Sequence, residues 1–393
     1  MKVKLCFFVM LICSVPATAQ VQQDSGTERP VSQREIEIDD LKRQILDDSS
    51  SGVEAIGDYH HETGDLNNRL DFSRYGGRLT LKSAGDAGVY LNATRSDYMP
   101  ISSTFNQWGV NLTAGVYSKL SDQTDIRGEA GATRFSTDTW TWNGVASIHV
   151  KLSDQTGFYL TGSRDNVLES LLSTTGLRPV VGPFAGQLVG RVMENRVVFG
   201  GSSKLPANFD VFGEGGVGTR SGSNVPSNFF QMLGGGLGYT VLSRTGRDPL
   251  SLVRVEYENR YFGFTDNRFG FGGASLLSRT GAPISPTRLG SDLISPNPGA
   301  GPRVGGYFSP ENFDSNLFRA ELRGGSDSSL SYDVSGFIGT QDYTGSTLSR
   351  TNGVAGTITV GLTERIAMPI SYTVDNYGPF TQQSLFARFI VRF

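Results

Sequence analysis

Trp108-Gly109-Val110-Asn111-Leu112-Thr113-Ala114-Gly115-Val116 decides the fold. Even positions are apolar and odd positions are small or polar, a period of two. Side chains of an extended strand point alternately to opposite faces, whereas a helix would repeat at 3.6. The pattern recurs outward along the chain. Trp142, Ala146, Ile148, Val150 and Leu152 alternate with Asn143, Ser147, His149 and Lys151. Val253, Val255 and Tyr257 alternate with Arg254, Glu256 and Glu258, and Val354, Ile358 and Val360 with Ala355, Thr357 and Thr359. Such two-faced segments fill residues 51–393 and are longer than the strands of most soluble sandwiches.

The connections between the segments alternate in kind. Ser83–Asp86, Ser121–Thr124, Ser153–Thr156, Leu205–Asn208, Arg244–Asp248, Gly324–Ser329 and Leu362–Arg365 read as short turns. Gly64–Asp71, Ser96–Ser103, Arg164–Ala185, Ser221–Ser227, Phe264–Phe308, Tyr343–Thr351 and Asn376–Thr381 read as longer or irregular, and Asp138–Trp140 as a short exception. Short turns at one rim and long loops at the other are the asymmetry of an outer-membrane barrel. The expected fold is therefore all-β: a 16-stranded antiparallel transmembrane β-barrel, preceded by a short N-terminal helical segment. Thr175, within Arg164–Ala185, is expected to be reachable from the cell exterior.

Composition excludes several other classes. Gly is 50 of 393 residues, about 13% against the usual ~7%. No apolar run after residue 19 approaches the ~20 residues of a membrane-spanning helix. With 35 basic and 38 acidic residues there is no cationic excess to suggest nucleic acid as a partner. Lys2 and Lys4, the apolar Leu5–Val15 and Ala17-Thr18-Ala19 read as a signal peptide over residues 1–19. Residues 20–50 read as a periplasmic linker whose Ser32–Asp47 forms the short helix, and 51–393 as the barrel. Both cysteines, Cys6 and Cys13, fall in the leader, which removes disulfide and thiolate chemistry from the mature chain.

Catalysis and cofactors find no support. His60 and His61 are neighbours on a strand and face opposite ways, a poor metal pair. Gly234-Gly235-Gly236-Leu237-Gly238 lacks the Lys-Ser/Thr of a phosphate loop. No Ser/His/acid set stands out, so the chain reads as no enzyme, with no cofactor and no metal.

In a lipid-embedded barrel the apolar face points outward and the polar face lines the lumen. Strand-by-strand parity puts Arg78, Lys82, Arg127, Arg220, Arg254, Arg260, Arg319, Arg323, Arg388 and Arg392 inside. It also puts Glu54, Asp58, Asp125, Glu129, Asp210, Glu214, Glu256, Glu258, Glu321, Asp333 and Asp375 there. A balanced wall argues against strong selection for either ion sign. Tyr90, Tyr117, Tyr159, Phe212, Phe337 and Phe386 share that face, where aromatic rings suit the apolar faces of sugars or packing against an inserted loop. Phe264–Phe308 is far longer than an ordinary loop. It carries Phe271 with Arg268, Arg279 and Arg288, and is the expected gate over the barrel mouth. Leu385, Ala387, Phe389, Val391 and Phe393 share one face of the last segment, and the terminal Phe393 is the expected assembly signal for the barrel assembly machinery.

Gly305-Gly306-Tyr307-Phe308-Ser309-Pro310-Glu311-Asn312-Phe313 resembles a motif in the C-terminal barrel of the bacterial cellulose synthase outer-membrane exporter, the cellulose synthase operon protein C family. There a Gly-Gly-Tyr-Phe-Ser-Pro run opens a late strand after a long loop. Ser51-Gly52-Val53, Asp58-Tyr59-His60-His61-Glu62-Thr63-Gly64-Asp65-Leu66 and Tyr75-Gly76-Gly77-Arg78-Leu79-Thr80-Leu81 resemble the start of that barrel. Gln382-Gln383 and Arg388–Phe393 resemble its close. The resemblance implies an outer-membrane channel that passively guides a roughly neutral, cellulose-like β-glycan out of the periplasm. Its implied partners are outer-membrane lipid, the glycan chain, an inner-membrane glycan synthase and a separate periplasmic scaffold. That scaffold would supply the tetratricopeptide repeats for which residues 20–50 have no room. A general diffusion or nutrient-uptake porin is the competing reading.

Overall fold

A computed structural model describes residues 51–63, 70–83, 87–99, 107–137, 139–168, 171–176, 191–222, 225–244, 249–265, 311–326, 330–343, 348–377 and 380–393. The signal peptide, the Ser32–Asp47 helix and Arg268, Phe271, Arg279 and Arg288 of the expected gate lie outside these residues. So does Gly305–Pro310.

Sixteen strands follow one another. They are β1 (Gly52–Thr63), β2 (Asp71–Lys82), β3 (Ala87–Met99), β4 (Gln107–Ser121), β5 (Thr124–Phe135), β6 (Trp140–Lys151), β7 (Thr156–Asn166) and β8 (Met193–Lys204). Then come β9 (Phe209–Gly222), β10 (Val225–Ser243), β11 (Leu252–Phe264), β12 (Phe313–Ser326), β13 (Leu330–Tyr343), β14 (Ser349–Thr363), β15 (Ile366–Tyr377) and β16 (Phe380–Arg392). A five-residue helix, α1 (Leu171–Thr175), sits between β7 and β8. Each strand pairs antiparallel with the next, and β1 pairs with β16 from Gly52↔Arg392 to Thr63↔Thr381. Closure leaves no edge strand, so every ladder hydrogen bond has a partner.

Both chain ends of the barrel lie at one rim, here the turn rim. Its turns repeat a local chemistry. Ser121 Oγ accepts from Gln123 N at 3.2 Å, Ser153 Oγ from Gln155 N at 3.1 Å and Thr363 Oγ1 from Arg365 N at 3.2 Å. A short hydroxyl side chain thus supplies the acceptor that folds the chain back. At the Pro206 turn, Ala207 and Asn208 adopt φ of 60° and 65°, the left-handed region an Asn tolerates.

The opposite, loop rim differs from the sequence reading at two places. Ser221–Ser227 and Asn376–Thr381, expected as irregular loops, lie largely within paired strands. β9 runs to Gly222 before β10 starts at Val225, and β15 runs to Tyr377 before β16 starts at Phe380. Pairing simply continues, with one register shift between Val225 and Asn228. At Gly222 a Cβ would collide with the Arg191 carbonyl, so the close approach needs a glycine.

The two faces follow the alternation. Exposed large apolar residues share one parity on each strand, among them Leu91, Leu112, Trp142, Phe199, Leu233, Phe318, Ile338 and Phe389. Opposite parity carries most of the charges and a set of buried side chains.

Candidate functional site: the barrel interior

All of the charged and aromatic residues assigned to the lumen by parity lie on that inner face, and most of the charges meet a counter-charge. Glu54 of β1 and Arg388 of β16 pair across the barrel closure at 3.3 Å, each side chain 4% exposed. On the neighbouring strands the Arg78 guanidinium lies 3.8 Å over the Tyr90 ring. The Tyr90 hydroxyl donates to Glu129 and accepts from Arg127 at 3.2 Å. A second group spans β8 to β13. Glu194 accepts from Arg220 at 2.8 Å and lies 3.5 Å from Arg196. Arg254 reaches Asp210 and Glu256, each at 2.6 Å. Glu258 pairs with Arg260 and lies 3.8 Å from Arg319, and Arg323 joins Glu321 to Asp333, the latter at 2.8 Å. Neighbouring inward positions of adjacent strands are about 5 Å apart, which puts opposite charges within reach of each other.

β14 and β15 contrast with this. Their inner positions include Thr351, Gly353, Ala355, Thr357, Thr359, Ser371 and Thr373, with Asp375 the one carboxylate among the described residues. Thr357 and Ser371 share a hydrogen bond of 2.9 Å.

The lumen aromatics are arranged by a feature that the sequence reading missed. Tyr90 pairs directly with Gly115, Tyr117 with Gly88, Tyr159 with Gly200, Phe212 with Gly236 and Phe337 with Gly353. A Cβ built on any of these glycines would come within 2.5 Å of its ring. Each ring therefore leans across the strand gap and lies on the bare backbone next to it. A glycine in a strand so marks a close approach, not slack. Tyr159 also donates to Glu214 at 2.6 Å. Tyr90, Phe337 and Phe386 are buried, whereas Tyr117, Tyr159 and Phe212 keep part of their surface open. The glycine pattern was visible as inward Gly opposite inward aromatic, but only once register was fixed.

Residues missed on the inner face include Arg74, 3.1 Å from Asp58, and the Glu194–Arg196 pair. Period-two parity carried through the ends of β2 and β8 would have included them.

At the loop rim the interior becomes apolar. Leu70, Phe72, Tyr98 and Phe135 form one buried cluster with Leu168, and Val167, Val192, Val225, Phe230 and Phe264 form another with Phe262. The chain between β7 and β8 contributes to both. It is tied to itself by Val167 N to Val192 O and by Val192 N to Ser173 O, both 2.9 Å. Arg191 sits 3.4 Å over the Phe135 ring and donates to Thr137, at 2.9 Å, and to Thr139. Burial pushes its guanidinium down to about 10. Thr175 is 1% exposed, which corrects the expectation that it is reachable from outside. The described ends of that connection turn inward because Val167 and Val192 bury apolar surface in one cluster, each side chain worth about 1.5–3 kcal/mol, and Leu168 packs partly buried against the other.

A closed sixteen-strand barrel, apolar outside and lined inside with paired charges, defines the class of outer-membrane conduits. The chain belongs to the family described as the cellulose synthase operon protein C C-terminus, whose model matches residues 61–273 of the 393. It is an outer-membrane β-barrel protein of a polysaccharide-export family, and that family's domain is an export component. A solved structure, a bacterial polysaccharide outer membrane secretin, matches at 10% identity with a TM-score of 0.61 over 88% of this chain and 99% of that one. The Pseudomonas aeruginosa protein OpdO matches at 11% identity with a TM-score of 0.40 over 88% of this chain and 97% of that one. The likeness to the secretin is one of fold alone. No curated protein matches the sequence.

Proposed function

We propose that the chain spans the outer membrane with its sixteen strands and passively guides a neutral, cellulose-like β-glycan outward from the periplasm. The observation that carries this reading is the inner wall. Its carboxylates and guanidiniums neutralise one another, and β14 and β15 offer hydroxyls in place of charge. A neutral glycan needs many weak, interchangeable hydrogen bonds and no strong binding site, since a site that holds a passing chain tightly also stops it. Tyr117, Tyr159 and Phe212 keep ring surface on which sugar C–H faces can slide. Tyr90 and Phe337, packed on glycine and buried, serve the wall.

In this reading residues 1–19 direct export of the chain and 20–50 link the barrel to a periplasmic scaffold. An inner-membrane synthase supplies the driving force. Phe393 and the apolar face of β16 serve recognition by the assembly machinery. Val167, Leu168, the short α1 and Val192, packed on the inner face at the loop rim, narrow the outer mouth. Planar-bilayer recording tests the reading. Neutral cello-oligosaccharides are expected to produce transient current blockades, and polyuronates of matched length far fewer. Equal blockade by both, or by the polyanion alone, would overturn it. Free passage of small solutes without glycan blockade would favour a solute porin, which the narrowed mouth also suits.

A further inference from the structure

The outward face is apolar over most of the barrel height, and its charged side chains gather toward the loop rim. They are unevenly spread around it. β3, β5 and β7 carry Arg95, Arg134 and Arg164 against Asp97, whereas β12, β13 and β14 carry Asp314 and Asp342 against Arg350. Arg95 and Arg164 share strand parity with the exposed Leu91 on β3 and Leu160 on β7, and Arg134 on β5 pairs directly with the exposed Trp140 on β6. Asp165, next along β7, has the opposite parity.

All three tryptophans of the chain stand between these arginines. Trp108 lies on β4, between Arg95 and Arg134, and Trp140 and Trp142 lie on β6, between Arg134 and Arg164. The register makes one row of the first part, Arg95↔Val110, Val110↔Arg134 and Arg134↔Trp140. Arg95 lies 5.3 Å over the Trp108 ring and Arg134 lies 5.8 Å over that of Trp140. Arg164 donates to the Trp142 carbonyl at 3.2 Å and to Asn195 at 2.7 Å. Arg95 also meets Asp97 at 2.9 Å. Cation and indole thus alternate over five consecutive strands, with three positive charges against one negative.

A guanidinium on a membrane-facing wall is costly unless an anion meets it. Its planar fork matches phosphate oxygens, and indoles settle at the boundary between headgroup and acyl chain. We propose that this arc of β3–β7 is a docking surface for the phosphate-bearing glycolipid of the outer leaflet. Arg95, Arg134 and Arg164 hold its phosphates, and the three indoles pack against its sugar and acyl boundary. The inference depends on the outer-membrane location with the loop rim outward and stands whether the cargo is a glycan or a small solute.

Native mass spectrometry of the full barrel in detergent tests it. Lipid A carrying both phosphates is compared with the same lipid enzymatically stripped of them. Wild-type protein is expected to bind the phosphorylated lipid at least tenfold more tightly. An R95Q/R134Q/R164Q variant should bind both lipids equally weakly, and an R350Q variant on the opposite arc should behave as wild type. Equal binding of the two lipids by the wild type would overturn the proposal, and that comparison needs no variant to fold. So would retention of the tenfold preference in the triple variant, or its loss in R350Q.

Discussion

Inside this barrel two regions solve the same problem in opposite ways. At mid-wall, inward side chains are charged and find counter-charges on the same or the next strand, as Glu258 does with Arg260 and with Arg319. At the loop rim, inward side chains are apolar and pack as in a soluble core, Val192 being 0% exposed between β7 and β8. The difference teaches where a chain segment fills the interior and where it does not. Aliphatic side chains cluster inward at the loop rim, where other apolar surface meets them, and elsewhere the wall carries cancelling charges, hydroxyls and rings laid on glycine. Mid-wall should therefore govern assembly, and the loop rim should govern passage.

The largest expected effect is at the barrel closure. Glu54→Ala leaves Arg388 buried without its carboxylate, which costs about 3–5 kcal/mol. Unfolding by urea in lipid vesicles should show that loss, while the conductance of correctly folded channels stays at the wild-type value. Altered conductance with unchanged stability would reverse the assignment of this region.

Next comes the mouth. Val192→Asp puts a charge inside the apolar cluster of Val167, Val225, Phe230 and Phe264 and should release the chain packed there. Single-channel conductance should rise several-fold and bulky antibiotics should gain access, with heat-modifiable mobility unchanged. A folded variant with wild-type conductance would show that this segment does not narrow the path.

A smaller effect is expected where ring meets glycine. Gly115→Val drives a side chain into the Tyr90 ring and should destabilise by about 1–3 kcal/mol, the usual range for overpacking. Adding Tyr90→Ala should recover part of that loss. Strict additivity of the two changes would mean that the ring and the glycine do not support each other.

Smallest of all is Arg323→Gln at the turn rim. Arg323 is 49% exposed beside Asp333, so solvent screens the pair and the change should cost under about 1 kcal/mol. A cost as large as that at Glu54 would erase the distinction between buried closure and exposed rim.

Much of this was legible in the residues themselves. The alternation in Trp108–Val116 gave the faces, and parity alone put Arg127, Glu129, Arg254, Glu256 and Arg388 on one wall. Parity worked because strand side chains alternate strictly, so one apolar anchor orients a whole segment. The strand ends at Gly222, Val225, Tyr377 and Phe380 were misjudged because Gly, Ser, Asn and Pro suggest a loop whether or not pairing continues through them.

What the sequence by itself determined was the alternation, the number of strands and the charge balance of the wall, all local or additive properties. Only the tertiary structure decided that Tyr90 lies on Gly115, that Glu54 closes the ring with Arg388, and that Val167, Leu168 and Val192 pack into the inner face at the loop rim. Those facts depend on register between strands and on packing between segments distant along the chain. No local pattern encodes either, because the free energy that fixes them comes from contacts that exist only once the barrel has closed.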